Sequence, residues 1–177
     1  RRIIEIENKI LEVLKTSGYY NRVNLFLKDF SKVTDNVRRI HEGENKVNVS
    51  QQSLTKTESL FSQTTADQLA GSGLNETFIT PVKTAINEAV TFGYSLSNTR
   101  ELLKEMVIGN PEKLGRLNSY LTNTARESVK NLQGAQHTQI KNALGLDTLR
   151  YVGGLLKDSR GQCVRWCGLE YISYKDL

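Results

Sequence analysis

Apolar positions recur along most of the chain every three or four residues, the spacing that lines one face of an α-helix. Ile3, Ile6, Ile10 and Leu14 form the first such stripe, and the Ser17-Gly18 pair interrupts it. Val23, Phe26, Phe30, Val33, Val37 and Ile40 then predict a second amphipathic helix. The stretch "HEGENKVNVS", from His41 to Ser50, is polar and keeps no period, so it predicts a loop. A further helix is expected from Gln51 to Leu69. "AGSGLNET" breaks the pattern again: Gly71 and Gly73 flank a serine, and Asn75 is suited to cap the next helix.

Phe78, Val82, Ile86 and Val90 mark the apolar face of that helix, with Pro81 in its first turn, where a backbone N–H is not needed. Ser97 or Asn98 is expected to start another, running through Leu102, Leu103 and Met106. "GNPEKL" ends it and puts Pro111 in the first turn of the longest element, a helix from Glu112 to about Leu144. Leu114, Leu117, Leu121, Ser128, Leu132, Ala135 and Leu144 carry its stripe, Gly115 and Gly134 interrupt it, and Gly145 stops it.

The grammar then changes. "TLRYVG" and "LEYISY" read as short strands, and Gly153-Gly154 allows a turn or bulge between them. Strands so short cannot stand alone, and must pair with each other and pack on a helix. The expected fold is mainly α: a multi-helix elongated body with a small C-terminal α/β knob containing a short two-stranded β element. The expected divisions are an N-terminal helical region over 1–110, the long helix over 111–146 and the C-terminal β-containing module over 147–177.

Composition narrows the class. Of 177 residues, 38% are apolar and 24% charged, which suffices for a buried core and argues against disorder throughout. No apolar run approaches the roughly 18 residues of a membrane span, and "RRIIEIENKI" lacks the features of a signal peptide. The chain opens on Arg1 and reads as the ordered middle of a longer polypeptide. A net charge of +5 is mild and spread along the chain, without the interleaved aromatics of a single-strand binder. A solvated surface is its plain reading, and contact with nucleic acid is the alternative.

Candidate chemistry is concentrated at the C-terminal end. Cys163 and Cys167 are three residues apart, and no second Cys or His pair lies at zinc-ligand spacing. Small thiols packed beside Trp166 account for them. A reactive Cys163 would need His41 or His137, and neither sits in a recognisable motif. No phosphate loop, nucleophile elbow or paired-carboxylate signature occurs, so no catalytic residue, cofactor or metal is expected. Asp158 and Arg160 suit a polar staple, the carboxylate accepting backbone N–H groups and the guanidinium bridging acceptors.

These residues carry a resemblance. From about Leu117 to Leu177 the chain resembles the Mu F-like minor head proteins of tailed bacteriophages, the group that includes the minor capsid proteins of SPP1-like phages. "LTNTARESVKNLQGAQHTQIKNALGL" matches the family's long helix, "LRYVGGLLKDSRGQC" its aromatic-Val-Gly strand and Asp-x-Arg turn, and "VRWCGLEYISYKDL" its closing segment. Tyr151, Gly153, Asp158, Arg160 and Cys163 stand at the motif positions, followed by Trp166 and Gly168. Gly161 stands where many members carry Thr or Pro, and Cys167 is an addition. The resemblance covers about a third of the chain. It implies a non-enzymatic virion protein of the phage head, near the portal or inner capsid face, acting in head morphogenesis and DNA packaging or ejection. Its implied partners are the portal protein, the major capsid protein, packaged DNA and sister copies, with no membrane. The competing readings are a nucleic-acid-binding helical protein and a cysteine-dependent enzyme or toxin-delivery module.

Overall fold

The computed structural model describes residues 2–44, 50–149, 161–169 and 172–173. Helices α1 (Arg2–Thr16), α2 (Tyr19–Lys28), α3 (Phe30–Glu44) and α4 (Gln51–Ala70) come first. A short α5 (Ser72–Leu74) leads through a π-helical turn, Asn75–Ile79, into α6 (Thr80–Thr91) and then α7 (Leu96–Val107). A tight hairpin of β1 (Gly109–Asn110) and β2 (Lys113–Leu114) precedes the long α8 (Arg116–Ala143). Strand β3 (Thr148–Leu149), helix α9 (Gly161–Cys167) and strand β4 (Ile172–Ser173) complete the described chain. It divides into two compact units, 1–136 and 137–177.

The mainly α reading holds, and so does the C-terminal strand pair. β3 and β4 are antiparallel, with Thr148 opposite Ser173 and Leu149 opposite Ile172, and Ile172 is buried. Gly145 stops α8 as expected: its N–H donates to the Asn142 carbonyl (3.2 Å) and that of Leu146 to the Lys141 carbonyl (3.1 Å), satisfying two carbonyls at the helix end. The remaining expectations need correction in six places, each with a local cause.

The helix expected over Val23–Ile40 is two, divided at Asp29, whose N–H donates to the Phe26 carbonyl while its own carbonyl accepts from Lys32 and Val33. α3 runs to Glu44, into the expected loop, and residues 45–49 lie outside the described residues. The break in "AGSGLNET" is at Gly71 alone, and Asn75 lies inside the helical run rather than capping it. Pro81 has no N–H to give Thr77, and the widened turn before it, where the Thr80 N–H reaches back five residues to the Asn75 carbonyl, accommodates that loss. Phe78 and Ile79, adjacent within it, are both buried. Further along α6, Ala89 is buried where Val90 was expected, and Val90 is exposed. α7 begins at Leu96, ahead of both expected starts, capped by the Ser95 hydroxyl, which accepts the Asn98 N–H at 3.1 Å. Finally, "GNPEKL" forms the β1–β2 hairpin instead of the start of α8.

In the unit 1–136 one core joins Leu14 to Leu74, Phe78, Ile79 and Val82, with Ile10, Leu11, Leu103, Met106 and Leu117 packed around them. The Lys83 ammonium donates to the Glu7 carboxylate at 2.6 Å, tying α6 to α1 beside it. A second buried set gathers α3, α4 and α8. Gln136, fully buried on α8, donates from Nε2 to the Thr34 hydroxyl (2.8 Å) and towards the Leu54 carbonyl (3.4 Å). The Thr34 hydroxyl in turn donates to the Phe30 carbonyl at 3.1 Å. The Gln136 Oε1 has no partner.

Candidate binding cleft

The cleft is built on the hairpin. In Asn110-Pro111-Glu112-Lys113, proline holds φ near the value a type I turn needs at its second position, and asparagine suits the first. The Asn110 Oδ1 accepts the N–H groups of Glu112 (3.1 Å) and Lys113 (2.9 Å), and its Nδ2 donates to the Glu105 carboxylate (2.9 Å). The two strands close on a pair of glycines. Gly109 has φ +92°, and a Cβ there would meet the backbone of Lys113 to Gly115. A Cβ on Gly115 would lie 2.5 Å from the Gly109 nitrogen. Gly115 also starts α8, its carbonyl accepting the Ser119 N–H at 2.9 Å.

On the far side stands the corner between α4 and α5. The Asp67 carboxylate accepts from the Ser72 hydroxyl (2.7 Å) and N–H (3.3 Å), and these bonds, the hydroxyl's first, hold its carboxyl below the ordinary range. Two tyrosines finish the end of α4. The Tyr19 hydroxyl donates to the Leu69 carbonyl (2.5 Å) and the Tyr120 hydroxyl to the Gln68 carbonyl (2.6 Å). Carbonyls in the last turn of a helix have no partner within it, so each phenol meets an otherwise open acceptor. Burial pushes the Tyr19 phenol up to about 12 from its ordinary 10.0, and raises Tyr120 as well. Gly73 admits this arrangement, because a Cβ there would lie 2.6 Å from the Tyr120 hydroxyl.

Between hairpin, α7 and the start of α8 lies an open cleft of about 650 Å³, which Thr77 and Tyr120 also line. Leu102, Met106 and Leu114 give it an apolar surface, and Glu105, Lys113 and Arg116 give it charge. Glu105 is engaged by Asn110. Among the described residues, no carboxylate pairs with Lys113 or Arg116. The lining has no histidine or cysteine. Such a cleft can seat apolar side chains and hold an anionic group at its edge, which is binding chemistry. Among the described residues, no group of three His, Cys, Asp or Glu residues could hold a metal, and no helix is long and apolar enough to cross a membrane.

Of the residues singled out in the sequence, Tyr151, Gly153, Asp158 and Arg160 lie outside the described residues. Cys163 is in α9, its side chain likewise outside them. Trp166 is half-buried on the same helix, and Gly168 is exposed in the turn after it, its N–H donating to the Arg165 carbonyl at 3.3 Å. Cys167 is a half-buried thiol on α9. The cleft itself was missed from sequence, although the Asn-Pro pair flanked by Gly109 and Gly115 was a turn signal. The chain matches no protein-family model, no curated protein and no solved structure.

Proposed function

We propose that the chain is a minor head protein of a tailed bacteriophage, a non-enzymatic component of the virion that sits near the portal or inner capsid face and acts in head morphogenesis and DNA packaging or ejection. The observation that carries the reading is the stretch from Leu117 to Leu177. Its long helix, its strand before Tyr151, its Asp158-x-Arg160 motif, its Cys163 segment and its closing strand follow the order of the Mu F-like C-terminal module. The pairing of β3 with β4 around that segment agrees with it. So does a surface that offers exposed apolar side chains, as an assembly component requires.

The test is quantitative mass spectrometry of purified particles, counting this chain against the portal protein before and after genome release. A few to about a dozen copies per particle are expected. Absence from particles would refute the assignment.

A further inference from the structure

Charge in the unit 1–136 is gathered in one place. Residues 1–112 carry fourteen Lys and Arg against fourteen Asp and Glu, and so balance. Residues 113–136 carry Lys113, Arg116, Arg126 and Lys130 against Glu127 alone. The whole positive excess of the unit therefore sits on β2 and α8.

Helical spacing sets these charges on one side. Positions seven apart lie almost in line along an α-helix, so Arg116, Asn123 and Lys130 make one row and Ser119, Arg126 and Gln133 the row beside it. Five of the six are exposed and Ser119 is half-buried, while Ser128, Leu132 and Gln136 on the opposite side of the helix are buried. Lys113 joins Arg116 at the edge of the cleft. Among the described residues, Lys113, Arg116 and Arg126 have no carboxylate partner. Lys130 meets Glu127 at 3.8 Å with both side chains largely exposed, a pair that water and salt screen.

The residue types are those that contact phosphates, Arg and Lys through charge and Ser, Asn and Gln through hydrogen bonds. The two rows hold no apolar side chain, which a membrane-surface helix or the centre of a protein interface would need. Nor do they hold an aromatic ring on which the bases of a single strand could stack.

We infer that the outward face of α8, with Lys113 beside its start, binds the phosphate backbone of a nucleic-acid duplex without reading its sequence. From Arg116 to Lys130 the helix rises about 21 Å, the length of about six base pairs, so the four cations fall within reach of one short stretch of backbone. The inference rests on charge and burial in this unit and not on the phage assignment, and the particle count leaves it untouched.

The experiment is fluorescence anisotropy of the full chain with labelled DNA duplexes of about 20 base pairs in two unrelated sequences, over about 50 to 200 mM salt. Both sequences are expected to bind alike, with log K falling against log salt at a slope of about −3 to −4, close to 0.9 for each cation. The double variant Arg126→Gln, Lys130→Gln should flatten that slope by about 2 and weaken binding at least about tenfold at the lowest salt. Lys15→Gln with Arg39→Gln removes two exposed charges from α1 and α3 and should change affinity by no more than about twofold. Both double variants alter exposed side chains, so circular dichroism melts should match the wild type. Absence of binding, a flat salt response, equal loss in the two double variants, tighter binding of a single strand of the same length, or sedimentation with phosphatidylserine vesicles but not with duplex would each overturn the inference.

Discussion

Gln136 shows what an apolar scan of the chain passes over. It lies four residues after Leu132 and four before Ile140, so it occupies the buried stripe of α8, yet its type marked it as surface. Its Nε2 is bonded and its Oε1 is not, which leaves a desolvated acceptor of the kind that costs about 1–3 kcal/mol. Replacing it with leucine removes that acceptor and keeps the volume, while Thr34 retains its bond to Phe30. Gln136→Leu is therefore expected to raise the stability to urea by about 1 kcal/mol with an unchanged slope, whereas Gln136→Ala, which leaves a cavity, should lower it. Tyr19 was equally silent in sequence, because the carbonyl it caps is 50 residues away. Its phenol is raised from 10.0 to about 12, so folding favours the protonated form. The stability it contributes is complete below pH 10 and is lost as pH rises from 10 towards 12. Urea unfolding across that window should show the wild type losing stability more steeply than Tyr19→Phe, which itself costs about 1 kcal/mol at pH 8.

Helices were legible where the apolar period was long and its end carried a single signal, as at Gly145. They were misread where one residue type serves two local structures. Proline fits both the first turn of a helix and a tight hairpin turn, and in "GNPEKL" the latter wins because Gly109 and Gly115 let two backbones close without side chains. The hairpin therefore depends on those glycines more than on its strand residues. Gly109→Ala, at a φ of +92° and against the facing backbone, is expected to destabilise by about 1–3 kcal/mol, measured by urea denaturation, and to shift the amide resonances of the cleft residues Lys113 and Arg116. Asp29 is a related case: it interrupts a helix without ending the apolar period, so the period alone ran through it.

For the molecule as a whole, the fold class and the C-terminal strand pair came from the change in pattern after Gly145, since two short strands leave each other as the available partner. The cleft was not legible in that way, because its walls come from Thr77, α7, the hairpin and the first turns of α8, which only the packed chain brings together. Most helix pairs in contact are neighbours in sequence or one element apart, as α1 with α2 and α3 with α4 are. Bonds that reach further include that from Lys83 to Glu7 across 76 residues and that from Gln136 to Thr34 across 102. During synthesis at roughly 5–20 residues per second, about 5 to 20 s separate the appearance of Thr34 and Gln136. Until α8 has been made, the Thr34 hydroxyl and the Leu54 carbonyl lack the side chain that bridges them in the finished fold.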